Sequence, residues 1–131
     1  MVADVLSGIP VANESVERLH ASAIIEHFYL HELKEKVLPE FYRVLKTGGT
    51  LYIVVPDWQK IKKAKNWEMI QQNLYGAYHD YIPIQYDIHK YCWDYLHLKE
   101  ILEEFGFKNV REVKYEGHHG AEWSLAVEAE K

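Results

Sequence analysis

The stretch that decides the fold runs from residue 43 to residue 57 and reads Arg43-Val44-Leu45-Lys46-Thr47-Gly48-Gly49-Thr50-Leu51-Tyr52-Ile53-Val54-Val55-Pro56-Asp57. Its second part, Leu51 to Val55, is a nearly continuous apolar run that is β-branched at its end. A run without alternation is typical of a strand buried on both faces, as in a parallel sheet covered by helices. We therefore expect a central strand, entered from Gly48-Gly49 and closed by Pro56-Asp57.

The residues before this strand predict half of a βαβ unit. Apolar residues recur at helical spacing from Leu30 to Lys46, which predicts a helix. Pro39 interrupts the pattern, so we expect a kink there, or two abutting helices with Pro39 in a first turn. Gly48 is expected to end the helix, because glycine adopts the left-handed C-cap conformation readily. The strand upstream of the helix is expected at Arg18 to Ile25.

The residues after the central strand predict one more helix and two more strands. A helix is expected from Tyr95 to Phe105, with Asp94 as its N-cap. Strands are expected at about Asn109 to Tyr115 and Trp123 to Ala129, joined by a hairpin-like connection. The chain is thus predicted to be an α/β domain with a mostly parallel sheet of about four strands, a terminal antiparallel strand and flanking helices.

Composition excludes several classes of protein. The 131 residues are 48% hydrophobic, which predicts one globular domain over residues 1–131. The net charge of -5 argues against nucleic acid as a partner, because phosphate binding needs a basic face. The single cysteine, Cys92, excludes an intrachain disulfide and a cysteine-based zinc site. No apolar run is long enough to cross a membrane and no signal peptide is recognisable, so we expect a cytoplasmic protein without a membrane partner.

Several spaced motifs identify a family resemblance. They are Ile24-Ile25-Glu26-His27-Phe28, Arg43 to Leu51, Ile53-Val54-Val55-Pro56-Asp57, His89-Lys90-Tyr91, Gly106-Phe107 and Leu125 to Ala129. Together they resemble the C-terminal half of class I S-adenosylmethionine-dependent methyltransferases, the methyltransferase type 11 group, over essentially the whole chain. Thr47 stands where the family usually has proline. The resemblance implies a truncated Rossmann-like fold, S-adenosylmethionine as cofactor, and methyl transfer to a small-molecule or saccharide-linked acceptor.

The resemblance also implies that the family's glycine-rich cofactor loop would lie before residue 1. Such a loop lets backbone N–H groups approach the ligand without interference from a Cβ atom. None of the seven glycines of this chain forms Gly-x-Gly. Asp4 is a candidate for a displaced version of the family's adenine-contacting acid. We therefore expect that this chain does not bind the cofactor independently.

Candidate site residues follow the first two predicted strands. Glu26 and His27 are expected at the carboxyl end of a strand, where open α/β sheets place ligands. His27 is a candidate catalytic residue and Glu26 a candidate cofactor contact; the alternative is a structural pair. Asp57 ends the next strand and is either a substrate contact or the N-cap of a helix from Trp58 to Gln72.

An aromatic insertion, expected at about residues 58–95, supplies further candidates. Seven aromatic side chains lie within Tyr75 to Tyr95. In relatives the matching segment folds over the active site and includes a histidine like His89, which makes His89 a candidate catalytic residue and Tyr78 and Tyr86 candidate substrate contacts. A substrate lid, a protein interface and plain packing all remain open for this segment.

No metal site is expected from the sequence. His118 and His119 are adjacent and have no carboxylate at ligand spacing, which favours a solvated turn. Cys92 has no identifiable base and is expected to be a packing residue.

The resemblance leaves two hypotheses for function. One is a methyltransferase that is not competent alone, and the other is a non-catalytic oligomerisation or regulatory module. In the family's sheet, the strand matching Arg18 to Ile25 is covered by strands that the resemblance places before residue 1. Bare strand edges pair readily with other chains. We therefore expect a homodimer, or a partner chain, to cover this edge.

Overall fold

The computed structural model describes residues 4–79 and 82–131, without the side chains of Tyr78 and His79. A four-stranded sheet has the order β1-β2-β6-β5. Its strands are β1 (Val16–Ser22), β2 (Leu45–Pro56), β5 (Lys108–Val113) and β6 (Ser124–Glu130). β1 is parallel to β2, whereas β6 is antiparallel to both β2 and β5. Three strands therefore share one direction, which confirms the predicted α/β fold class.

The connection between β1 and β2 is helical and contains the predicted discontinuity. It comprises α1 (Leu30–Glu32), a π-helical stretch (Leu33–Val37) and α2 (Leu38–Val44). The backbone is right-handed helical at Val37 and Leu38, so the helical run continues through this point, and Pro39 follows the π-helical stretch. The predicted interruption at Pro39 is therefore a π-helical stretch within one helical run and not a junction of two separate helices.

The predicted C-terminal boundary of that helix is wrong. α2 ends at Val44, and Leu45, with extended backbone, already begins β2. Val16 pairs with Leu45 and Arg18 with Thr50, so residues 46–49 bulge out of the strand. Gly48, with φ +79°, therefore forms part of this bulge and is not the helix C-cap. The upstream strand also begins and ends earlier than predicted, at Val16 and Ser22.

The insertion between β2 and the last helix forms a small layer of its own. It contains α3 (Trp58–Ile61), α4 (Trp67–Tyr75), β3 (Gly76–His79) and β4 (Ile82–Ile88). The single helix predicted from Trp58 to Gln72 is thus two helices. The second helix has its own cap, because the side chain of Asn66 accepts a hydrogen bond from the backbone N–H of Met69 at 3.0 Å. β3 and β4 form a separate antiparallel ribbon.

The last helix follows the sequence closely. α5 spans Tyr95–Phe105, as predicted, and the Asp94 side chain accepts a hydrogen bond from the backbone N–H of His97 at 2.9 Å. Gly106, with φ +125°, ends it. α5 packs Leu98, Ile101 and Leu102 into the main core.

The main core lies between the helices and the sheet. Its buried residues include Ile25, Leu33, Val37, Leu38, Phe41, Leu51, Ile53, Val55, Trp93, Leu125 and Val127. β1 is at one end of the sheet, and no other strand of residues 4–79 and 82–131 pairs with its outer edge. Within those same ranges, no helix is both long and apolar enough to span a bilayer.

Candidate functional site

The candidate site is built where the parallel strands β1 and β2 end. β1 ends at Ser22, and a 3₁₀ turn, Ile25–His27, follows it directly. Between them Ala23 has φ +53°, a left-handed conformation that costs free energy for a residue with a Cβ atom. Its backbone N–H donates to the carbonyl of Val54 on β2 at 2.9 Å. This turn projects Glu26 and His27 at the carboxyl edge of the sheet, where open α/β folds bind ligands.

His89 reaches the same edge from the insertion. The carbonyl of Glu26 accepts hydrogen bonds from the backbone N–H groups of Lys90, at 2.7 Å, and Tyr91, at 3.3 Å. These bonds hold the end of the insertion against the 3₁₀ turn. As a result the imidazole of His89 meets that of His27 edge to face, with ring centroids 4.9 Å apart.

Both imidazoles are oriented by backbone carbonyls. Nδ1 of His27 lies 3.2 Å from the carbonyl oxygen of Ile88, and Nδ1 of His89 lies 2.8 Å from that of Asn73. A carbonyl can only accept, so each Nδ1 carries the hydrogen and each neutral ring keeps its lone pair on Nε2. Burial lowers the pKa of His89 below its usual range, which favours the neutral imidazole.

Glu26 is the buried acid of the site. Its side chain is 2% exposed, and its Oε2 has no hydrogen-bond partner among the described residues. Burial, reinforced by the nearby charge of Asp87, raises the pKa of Glu26 to about 7. Oε1 of Glu26 lies 3.9 Å from Nε2 of His27, and Oδ1 of Asp87 lies 3.8 Å from the same nitrogen. Two acidic side chains therefore flank the Nε2 lone pair of His27.

These groups line a cavity of about 260 Å³. Its wall also includes Ser22, Asn73, Tyr115, His119, Trp123 and Ser124. The volume is slightly below the usual range for drug-sized ligands, so the cavity suits a small polar group. Chemically, it offers imidazole lone pairs and carboxylate oxygens to a hydroxyl, an amine or a cation.

The comparisons give a family match over part of the chain, and one fold. Residues 1–53 match the family model described as Methyltransferase domain. Human N-acetylserotonin methyltransferase, solved in complex with SAM, superposes with a TM-score of 0.67 at 12% identity, over 100% of this chain and 33% of that one. A SAM-dependent methyltransferase from Archaeoglobus fulgidus gives 0.59 at 19% identity, over 92% of this chain and 62% of that one. The fold is that of a SAM-dependent methyltransferase.

The resemblance drawn from the sequence is therefore confirmed, and the solved structures with this fold include SAM-dependent methyltransferases, one of them in complex with SAM. A SAM-dependent methyltransferase from Methanosarcina mazei superposes with a TM-score of 0.62 at 16% identity, over 98% of this chain and 65% of that one. The chain thus spans between about a third and two thirds of the length of these structures. No curated protein matches the sequence significantly.

The two predicted cofactor contacts, Asp4 and Glu26, lie apart in the described part of the chain. Asp4 caps the 3₁₀ turn Val5–Ser7 by accepting from the N–H of Leu6, and it lines a different cavity, of about 540 Å³, beside Leu19 and His20. Asp4 and Glu26, the two predicted cofactor contacts, thus lie at separate cavities of the methyltransferase fold. Neither is accompanied by a Gly-x-Gly loop.

The predicted substrate contacts lie outside the cavity wall or outside the described side chains. Asp57 is 6% exposed and accepts from the backbone N–H of Gln59, which makes it the N-cap of α3. Tyr86 is 89% exposed on β4 and does not line the cavity. The side chain of Tyr78 is not among those described. The substrate roles of these three residues stay predictions.

The segment Tyr75 to Tyr95 divides into two parts. Tyr91, Trp93 and Tyr95 pack against the main core, whereas Tyr75 and Tyr86 are mostly exposed. Packing therefore explains the end of the segment, and the lid and the interface remain alternatives for its exposed part.

Sequence reasoning missed Asp87 and the clustering of potential metal ligands. One ligand atom each from Glu26, His27 and His89 lies within 4.8 Å of the other two. The expectation of no metal site considered His118-His119, which are indeed exposed in a bend, and Cys92. Cys92 is exposed, so its prediction as a packing residue is wrong. The cluster could have been predicted by considering His27, which follows β1, together with His89, which follows β4, as two ligands of one ion.

Proposed function

We propose that this chain forms the acceptor side of a SAM-dependent methyl transfer, and that the donor is held mainly by residues outside it. The observation that carries the proposal is the pair of imidazoles, His27 and His89, which line a cavity at the carboxyl edge of the sheet and whose Nδ1 atoms are bonded to backbone carbonyls. The fold and the family match over residues 1–53 support methyl transfer as the class of reaction.

The chain's own residues then have two tasks. The cavity binds the acceptor, a hydroxyl or amine of a small molecule or a saccharide-linked compound, and orients it. Nε2 of His27 or His89 accepts a hydrogen bond from that group and takes its proton as the group becomes a nucleophile. Neutral imidazole is the form that does this, and the burial of His89 favours it.

Donor binding tests the first half of the proposal. S-adenosylhomocysteine, the product form of the donor, is titrated into the purified chain by calorimetry. The expected result is no binding in the micromolar range, because the chain offers no Gly-x-Gly loop and its two candidate cofactor acids lie at separate cavities. Stoichiometric micromolar binding to the isolated chain contradicts the placement of the donor site outside it.

The alternative function is a non-catalytic oligomerisation or regulatory module. The observation that favours it is the unpaired outer edge of β1 in the described sheet. We propose that another chain pairs with this edge, as bare strand edges commonly do. A second copy of this chain brings no Gly-x-Gly loop, so a homodimer supports the module. A partner that confers S-adenosylhomocysteine binding supports the enzyme.

Light scattering of the purified chain, combined with the calorimetry, distinguishes the non-catalytic module from the acceptor side of an enzyme. A concentration-independent mass of two chains, together with silent calorimetry, favours the module. A monomer at high concentration contradicts the homodimer and leaves the acceptor-side proposal to be tested with partner chains.

A further inference from the structure

We propose that Glu26, His27 and His89 bind a divalent transition-metal ion of the kind represented by Zn²⁺. One ligand atom of each lies within 4.8 Å of the other two. In a tetrahedral zinc site the ligand atoms are about 3.4 Å apart, because each lies about 2.0–2.2 Å from the ion. The cluster therefore needs a contraction of the order of one ångström. The proposal requires only the folded chain and does not depend on methyl transfer.

The orientation of both imidazoles matches that of metal ligands. Metal-binding histidines almost always donate their second ring N–H to a carboxylate, a backbone carbonyl or water, which fixes the tautomer. Here Nδ1 of His27 donates to the carbonyl of Ile88 at 3.2 Å, and Nδ1 of His89 donates to that of Asn73 at 2.8 Å. Within residues 4–79 and 82–131, Nε2 of neither ring makes a hydrogen bond, so both can coordinate an ion.

Glu26 gives an independent indication of a missing partner. Its side chain is 2% exposed and lines the cavity, yet Oε2 makes no hydrogen bond with the described residues. A buried carboxylate oxygen without a partner costs free energy, which a bound cation offsets.

The donor set also indicates the class of metal. Two imidazoles and a carboxylate suit zinc, cobalt, nickel or iron, whereas magnesium and calcium prefer oxygen ligands alone. Catalytic zinc sites use three protein ligands and leave a position open. Asp87 is the nearest candidate for a further ligand, because its Oδ1 lies 3.8 Å from Nε2 of His27 while its Oδ2 accepts from the N–H of Ala77.

The test uses Co²⁺ as a spectroscopic probe on the metal-free, tag-free chain. Absorption is recorded during Co²⁺ titration and then during displacement by Zn²⁺. The variants are Glu26→Gln and His89→Gln, which keep side-chain volume, and the control is His118→Gln, whose imidazole is exposed in a bend and does not line the cavity. Circular dichroism confirms that each variant is folded.

We expect one equivalent of Co²⁺ to bind with visible d–d bands that Zn²⁺ abolishes. Each of the two site variants weakens binding by about tenfold or more, whereas the control variant leaves it unchanged. Absence of binding below millimolar Co²⁺ overturns the proposal. Binding that survives both site variants, or that is lost in the control variant, overturns it equally.

Discussion

The imidazoles of His27 and His89 lie edge to face, 4.9 Å between centroids, although the helical connection, the whole of β2 and most of the insertion separate them in the sequence. Among the described residues, neither ring has a side chain as its hydrogen-bond partner. Backbone carbonyls of Ile88 and Asn73 orient them, and the carbonyl of Glu26 ties the two segments together. The site is therefore assembled by the way the insertion folds back onto the end of β1.

The N-cap of α5 gives a prediction with a defined pH dependence. The hydrogen bond from the backbone N–H of His97 holds the pKa of Asp94 below its usual range. A carboxylate with a lowered pKa stabilises the fold above its unfolded pKa, and this contribution is lost as the pH falls through the folded value. We expect Asp94→Ala to lower the free energy of unfolding by about 1 kcal/mol at neutral pH.

Urea unfolding followed by tryptophan fluorescence measures this effect. The difference between the wild type and Asp94→Ala should shrink as the pH is lowered below about 4. Asp94→Asn is the control, because its amide oxygen retains the cap without a charge. A difference that stays constant from neutral to acid pH rules out the assigned role of the carboxylate.

Arg43 is expected to hold the first residues of the described chain against α2. Its guanidinium donates to the carbonyls of Ile9 and Val11, each within 2.9 Å, and pairs with Glu40. In Arg43→Met we expect faster hydrogen exchange at residues 4–13 and a lower melting temperature. Lys34→Met is the control, since its pair with Glu104 is a surface contact at 3.5 Å. Equal exchange in the two variants is the contrary result.

The two glycines of the β2 bulge have different requirements. A Cβ atom at Gly49 would lie 2.8 Å from the carbonyl oxygen of Lys46 and 3.1 Å from that of Glu17. Gly49→Ala should therefore destabilise the protein by about 1–3 kcal/mol. Gly48 has φ +79° but open space around it, so Gly48→Asn is the matched control and should cost less than Gly49→Ala, because asparagine tolerates the left-handed conformation better than other residues with a Cβ atom. Chemical denaturation measures the free energy of unfolding of both variants. A larger loss in Gly48→Asn than in Gly49→Ala contradicts the prediction.

The elements predicted from the sequence are those with strong local signals. The apolar run at Leu51 to Val55 and the capped helix Tyr95–Phe105 are found where expected, because burial and capping are encoded in consecutive residues. The end of α2 was misplaced, because Gly48 is equally suited to a C-cap and to a strand bulge. The bulge forms because Leu45 pairs with Val16, and Val16 is distant in the sequence.

The site was only partly predictable for the same reason. Glu26 and His27 could be placed at a sheet edge from the strand that precedes them, and His89 was found through the family resemblance. Asp87 and the carbonyls that orient the imidazoles could not be found, because their positions depend on the β3–β4 ribbon and α4.

Nuclear magnetic resonance of the histidine rings tests the central claim most directly. Two-bond ¹H–¹⁵N correlation spectra are recorded on the metal-free chain well above the ordinary imidazole pKa of about 6.5, with His27→Gln and His89→Gln to assign the signals. Both rings are predicted to carry hydrogen on Nδ1, leaving the Nε2 lone pairs for an acceptor or a metal ion. Hydrogen on Nε2 in both rings would contradict the site, since neither lone pair would then be available to the cavity.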